Sequence, residues 1–185
     1  ELTPAFVYDK EIPYFNLLVP TVDTTRFSFF IEQLLIHKKN VYVTGSSGTG
    51  KSVVIQQLLT SIQHKRSLDS FPFIFSAQTD SKDTQLAIEN KLEKIKKNLM
   101  GAKAGRTSAI FVDDINMPAV EVYGAQPPIE LLRLLVDKGG VYDRRERFWK
   151  SVINTVLVCC SAPPGGGRNN ITPRFTRHFN MLNFP

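Results

Sequence analysis

Apolar residues recur along this chain with two periods, and the changes of period mark its elements. From Thr24 to Lys38, Phe27, Phe30, Ile31, Leu34 and Leu35 fall three and four apart, the spacing of one helix face. Val41-Tyr42-Val43-Thr44 is a short run of buried-strand type. A Gly/Ser-rich stretch follows, then a helical pattern from Lys51 to about Gln63. Phe73-Ile74-Phe75-Ser76 predicts the next strand. Lys82 to Leu99 carries a long helical pattern, with Asp80 or Ser81 as its cap, and Gly101 to Arg106 reads as a turn. Ala109 to Val112 predicts a strand ending in Asp113-Asp114. Pro127-Pro128 opens a helix over Ile129 to Lys138, which Gly139-Gly140 stops. Val141-Tyr142-Asp143 and Phe148 to Val152 are placed to pair as a hairpin. Thr155 to Ser161 is a further buried strand, Pro163 to Gly167 a loop, and His178 to Phe184 a last strand. Glu1 to Pro20, rich in aromatics and prolines, reads as an extended lead-in packed on the domain. Strands alternating with helices predict an α/β fold, a mostly parallel central sheet flanked by helices.

Composition narrows the class without changing that picture. The 185 residues suit one domain, and 42% hydrophobic content is enough for a sizeable core. No stretch approaches the roughly 20 apolar residues of a membrane span, so no membrane partner is expected. Glu1 to Lys10 lacks a basic region followed by an apolar stretch, which argues against a secretory signal. With no initiator Met, the chain reads as a piece of something longer. Cys159 and Cys160 sit side by side in an apolar run and look like small core residues, which suits a reducing compartment. The net charge of +6 raises the question of nucleic acid. Part of it comes from Lys91, Lys94, Lys96, Lys97, Lys103 and Arg106, interleaved with Leu92, Ile95 and Leu99 at helical spacing. That predicts the solvated face of an amphipathic helix. No aromatics interleave to stack on bases, so no nucleic-acid partner is expected.

The chemistry concentrates in two places. Gly45-Ser46-Ser47-Gly48-Thr49-Gly50-Lys51-Ser52 fits the phosphate-loop pattern, with a strand before it and an apolar helix after. Glycines let successive amides turn inward toward phosphate oxygens, and the next helix presents its positive N-terminus to the same anion. Lys51 supplies a point charge for the outer phosphates. The Ser52 hydroxyl is a magnesium ligand, and Val53 completes the nucleotide contact. A phosphate-loop nucleotidase also needs a carboxylate at a neighbouring strand end, and Asp113 is the metal-side candidate. Asp114 stands where a catalytic base would orient water. The expected ligands are ATP or ADP with Mg²⁺.

Longer strings carry a resemblance. Val112-Asp113-Asp114-Ile115-Asn116-Met117-Pro118, Tyr123 to Leu132, Pro163 to Asn169, and Thr172 to Asn180 are similar to the third AAA+ module of axonemal-type dynein heavy chains. Val19-Pro20-Thr21 followed by Asp23 and Arg26 also fits. The resemblance implies the P-loop NTPase large subdomain of an AAA+ module over residues 24–185. Residues 1–23 would be a lead-in to the adenine pocket, and a helical lid would follow Pro185. It implies that Val19, Pro20 and Thr21 lie against adenine. It also implies an arginine before the last strand that acts on the neighbouring module: Arg177 first, Arg174 second, Arg168 third. The implied partners are neighbouring AAA+ modules of the same heavy chain, microtubules through the rest of the motor, and dynein light and intermediate chains. The implied location is the cytoskeleton of a cilium or flagellum axoneme.

Two departures bear on the chemistry. Many active AAA+ sites carry Asp-Glu where this chain has Asp113-Asp114, and the shorter side chain withdraws the carboxylate by about 1 Å, a displacement that costs on the order of 100-fold in rate. Many relatives place Asn or Thr after the fourth strand, whereas Ala162 and Pro163 offer no side-chain donor and Ser161 is the nearest polar substitute. Both imply slow hydrolysis. The competing readings are a structural module that binds nucleotide without hydrolysis, a nucleic-acid-handling AAA+ protein, and a phosphate-loop kinase.

Overall fold

The computed structural model describes residues 19–185, together with Thr3, Phe6, Tyr8, Lys10 and Leu17. Most of the predicted lead-in lies outside the described residues. In chain order the elements are α1 (Val22–Ile36), β1 (Val41–Gly45), α2 (Lys51–Lys65), β2 (Leu68–Ile74), α3 (Ser81–Lys91), β3 (Glu93–Lys96) and β4 (Leu99–Gly101). There follow β5 (Thr107–Asp113), α4 (Pro127–Lys138), β6 (Gly140–Tyr142), β7 (Trp149–Ile153), β8 (Thr155–Ser161), α5 (Pro173–Thr176) and β9 (Asn180–Phe184). Among these, no helix is long and apolar enough to cross a membrane.

The centre is a five-stranded sheet in the order β2-β5-β8-β1-β9, with every neighbouring pair parallel. Parallel strands need crossovers, and the helices that supply them bury both sheet faces. Successive residues therefore point into two different cores. Val43, Phe111, Val158 and Cys160 pack with Ile31 and Leu35 of α1 and with Val54 and Ile55 of α2. Tyr42, Ile110, Val112, Leu157 and Cys159 pack with Ile88 of α3 and with Ile129, Leu132 and Leu135 of α4. The adjacent cysteines thus face opposite sides of the sheet and are both free. Strand β9 is held on the sheet by Phe184, whose ring stacks on Phe27 of α1 with centroids 4.0 Å apart.

The structure corrects three predicted elements. The helix expected over Lys82 to Leu99 ends at Lys91, and a hairpin of β3 and β4 follows. This hairpin joins β7 and β6 in a second sheet of order β3-β4-β7-β6. Lys94, Lys96 and Lys97 therefore lie on exposed strand and turn, and Lys97 pairs with Glu146 at 2.7 Å. The second strand is longer and earlier than Phe73 to Ser76, running from Leu68 through Pro72 to Ile74 at the sheet edge. Proline has no amide hydrogen to donate, and an edge strand tolerates that loss on its outer side. A short helix, α5, also precedes the last strand, which begins at Asn180 rather than His178.

Candidate functional site

Because the central strands are parallel, β1, β5 and β8 all end at the same edge, where crevices of open α/β sheets form. Strand β1 closes on Gly45. A Cβ there would sit 2.6 Å from the Phe184 carbonyl oxygen, so only glycine lets β9 approach the root of the following loop. The loop then turns through Gly50 with φ +80, a left-handed conformation that glycine adopts without strain. Gly50 is the N-cap of α2, and no side chain caps the helix. The first turn of α2 also contains no acidic residue. Its free amides and the positive end of the helix dipole are therefore left for an external anion.

Lys51 opens α2 and is 7% exposed. Its ammonium donates to the Ser46 carbonyl and lies 3.4 Å from Thr49 Oγ1. Both partners are uncharged, and a buried cation in such surroundings is incompletely balanced. Across from it, β5 delivers Asp113, whose Oδ1 accepts the Asp114 amide at 3.0 Å. Asp114 has φ +49, a left-handed conformation that Asp accepts more readily than most side chains. Its carbonyl accepts from Met117, and Ile115 donates to the Cys160 carbonyl at 3.1 Å, which ties this turn to β8.

These elements surround a cavity of about 350 Å³, lined by Ser47, Gly48, Gly50, Lys51, Ser52 and Val53 from the loop and α2. Asp113 and Asp114 line the second wall, and Cys160, Ser161, Ala162 and Arg168 the third. Burial pushes the Cys160 thiol up to about 12; the Asp113 carboxylate adds to this, and Lys51 partly opposes it. The Ser52 hydroxyl and the Asp113 carboxylate, both in the lining, are hard oxygens that suit magnesium. Among the described residues no cluster of three or more His, Cys, Asp or Glu is placed to hold a metal. A cation here would need water and phosphate oxygens to complete its ligands, as magnesium in nucleotide sites does.

The structure brings Ser47, Gly48, Gly50, Lys51, Ser52 and Val53 together with Asp113 and Asp114 on one cavity. Gly45, Ser46 and Thr49 belong to the same loop but do not line the cavity. Val19, Pro20 and Thr21 also lie outside its lining. The Thr21 side chain caps α1, accepting from the Thr24 amide at 3.1 Å in a capping box. Arg177 stands away from the cavity with its side chain 63% exposed, and its Nη2 lies 3.7 Å from Asp137 of the same chain. Arg174 is exposed as well. Arg168, third among the sequence candidates for a neighbouring site, lines this chain's own cavity. Sequence reasoning gave no role to Asn116. It is 2% exposed, and its Nδ2 donates to the Ala162 carbonyl at 2.8 Å, fixing the end of β8 against the acidic turn. The only signal was a polar side chain just beyond the acidic pair.

Comparison with known proteins agrees with this geometry. The family described as P-loop containing dynein motor region matches residues 6–185. The chain is 49% identical over 184 residues to dynein axonemal heavy chain 6 of Homo sapiens, covering 100% of the chain. It is 46% identical to dynein axonemal heavy chain 1 of Mus musculus over 97% of the chain. Identity to dynein axonemal heavy chain 3 of Mus musculus is 43% over 90% of the chain. The chain spans 4% of the length of each of these relatives.

Proposed function

The chain belongs to the P-loop containing dynein motor region family, and on that premise we propose that it is the nucleotide-binding large subdomain of one AAA+ module in an axonemal dynein motor ring. The ligand is ATP or ADP with magnesium. One observation carries the reading: an uncapped helix N-terminus and a buried lysine on neutral partners face two carboxylates across a single cavity. The third-module assignment rests on the strings from Val112 to Pro118 and from Pro163 to Asn169. The proposed setting is the ciliary axoneme, with neighbouring AAA+ modules, microtubules and the dynein light and intermediate chains as partners of the whole motor.

In this reading the loop amides hold the inner phosphates and Lys51 neutralises the outer ones. Ser52 and Asp113 would hold magnesium, which supplies charge neutralisation between the phosphates when bound. Asp114 is placed to orient a water molecule and take its proton. Its carboxylate is one methylene shorter than glutamate, and Ala162 at the end of β8 supplies no side-chain donor. Both features favour slow turnover, with the nucleotide state of this module regulating ATP-driven motility elsewhere in the ring. They equally favour a second reading, a site that binds and does not hydrolyse. Arg177, exposed and loosely paired with Asp137, is the proposed arginine for the neighbouring module's site.

Calorimetric titration with ADP and ATP, with and without magnesium, tests the binding claim. Lys51→Ala should weaken both nucleotides by about 100-fold, the scale of removing a buried charge-assisted contact. Unchanged affinity would reject the site. Single-turnover hydrolysis of ATP, compared between the native chain and Asp114→Asn in the assembled motor with its other sites disabled, separates slow turnover from none.

A further inference from the structure

A second cation reaches the cavity from the loop after β8. Gly165, Gly166 and Gly167 all have positive φ, at +125, +58 and +86, which turns the chain back toward the phosphate loop. Gly165 and Arg168 exchange backbone hydrogen bonds of 3.1 Å in both directions, closing this turn. The next residue anchors it: the Asn169 amide donates to the Asn116 carbonyl at 2.9 Å, and Asn169 Nδ2 donates to the Pro118 carbonyl at 2.9 Å. Arg168 is thus fixed to the segment that carries the acidic pair.

Its side chain is 26% exposed, and Nη2 lies 3.8 Å from Asp114 Oδ1, too long for a hydrogen bond. The buried Nε has no hydrogen-bond partner among the described residues. A guanidinium carries five N–H donors in a rigid fork, and a buried donor left unmatched is unfavourable. The cavity therefore holds two cations, Lys51 and Arg168, and two carboxylates, Asp113 and Asp114. Lys51 enters from the phosphate-loop wall, and Arg168 faces the cavity from the opposite wall with its own bonding incomplete.

We propose that Arg168 reads the terminal phosphate of a nucleoside triphosphate bound in this chain's own cavity, and returns to Asp114 when only a diphosphate is present. The inference rests on the nucleotide reading above and assigns this module a specificity residue of its own, separate from any arginine offered to a neighbour. A guanidinium grips a terminal phosphate through two parallel bonds, which a carboxylate 3.8 Å away does not provide here. The exchange also frees the Asp114 carboxylate to turn to water only when a triphosphate is present. Arg168 thereby supplies the donor that Ala162 lacks.

The test titrates the chain with ADP and with a non-hydrolysable ATP analogue, both with magnesium. Arg168→Ala should weaken the analogue about tenfold while leaving ADP within about twofold, the loss of one charge-assisted contact at the terminal phosphate. Arg168→Lys should recover part of the difference. Asp114→Asn should tighten the analogue relative to ADP, because the competing carboxylate charge is gone; this arm holds even if the Arg168 variants do not fold. An unchanged ratio of analogue to ADP affinity in Arg168→Ala or Asp114→Asn overturns the inference while leaving the nucleotide site standing. No binding of either nucleotide by the native chain overturns both.

Discussion

At the scale of single residues, the cavity sets a buried thiol, Cys160, and a guanidinium, Arg168, beside the phosphate loop and the acidic pair. The loop from Ser47 to Ser52 and the pair Asp113-Asp114 announce themselves by spacing, and the structure sets them on one cavity. The pairing of Arg168 with Asp114 joins residues far apart in the chain, and nothing in the intervening sequence shows it. Cys160 is a similar case. Its apolar neighbours identify a core residue but not one that lines the phosphate cavity. Burial pushes both the Cys160 thiol and the Tyr42 hydroxyl up to about 12. At pH 8 the Cys160 thiolate is then about one part in ten thousand. Iodoacetamide should leave Cys160 unmodified in the folded chain and label it in urea, as read by mass spectrometry. The sign of the linkage follows. Both groups are raised above their unfolded values, near 8.5 and 10, so their contribution to stability is complete below those values. It is lost as pH climbs toward 12, and the urea midpoint should fall between pH 9 and 11.

At the scale of elements, the misread segment is instructive. Leu92, Ile95 and Leu99 lie three and four apart, and no glycine or proline interrupts Lys82 to Met100, so the local pattern favours a helix. What overrides it is non-local: Leu99, Met100 and Gly101 pair with Ser151, Val152 and Ile153, and that register pulls β3 into the second sheet. The phosphate-loop strand and helix needed no such help. Around the second sheet, Lys150 joins Glu89 of α3 at 2.9 Å to Asp143 after β6 at 2.7 Å. The hydrogen bond from Lys150 and the amides of Glu146 and Arg145 hold the Asp143 carboxyl well below the usual carboxylate range. A depressed carboxyl stabilises the fold above its ordinary value near 3.9 and loses that contribution as pH falls. Asp143→Asn should therefore lower the urea midpoint at pH 7 and flatten its decline between pH 5 and 2, followed by circular dichroism.

For the whole molecule, the class was readable because alternating strands and helices leave few architectures open, and both sheet faces are indeed covered. The order β2-β5-β8-β1-β9 was not readable, since it is set by crossovers whose lengths say little about which strand lies beside which. Phe111 lies on β5, an interior strand of that order, and is fully buried in the core that the sheet shares with α1 and α2. Phe111→Ala should destabilise the chain by about 3–5 kcal/mol, measured by urea unfolding, because a central cavity between sheet and helices cannot collapse. Strand β9 has a mechanical consequence. It runs parallel to β1, paired from Asn180 beside Val41 to Phe184 beside Gly45. A pull on the chain at Phe184 loads all of these hydrogen bonds in shear, so they resist together instead of parting one by one. The last pair in that line is Gly45, the root of the phosphate loop. Tension arriving along β9 is therefore delivered to the loop that would grip the nucleotide, and a tightened loop would in turn stiffen the strand against the pull.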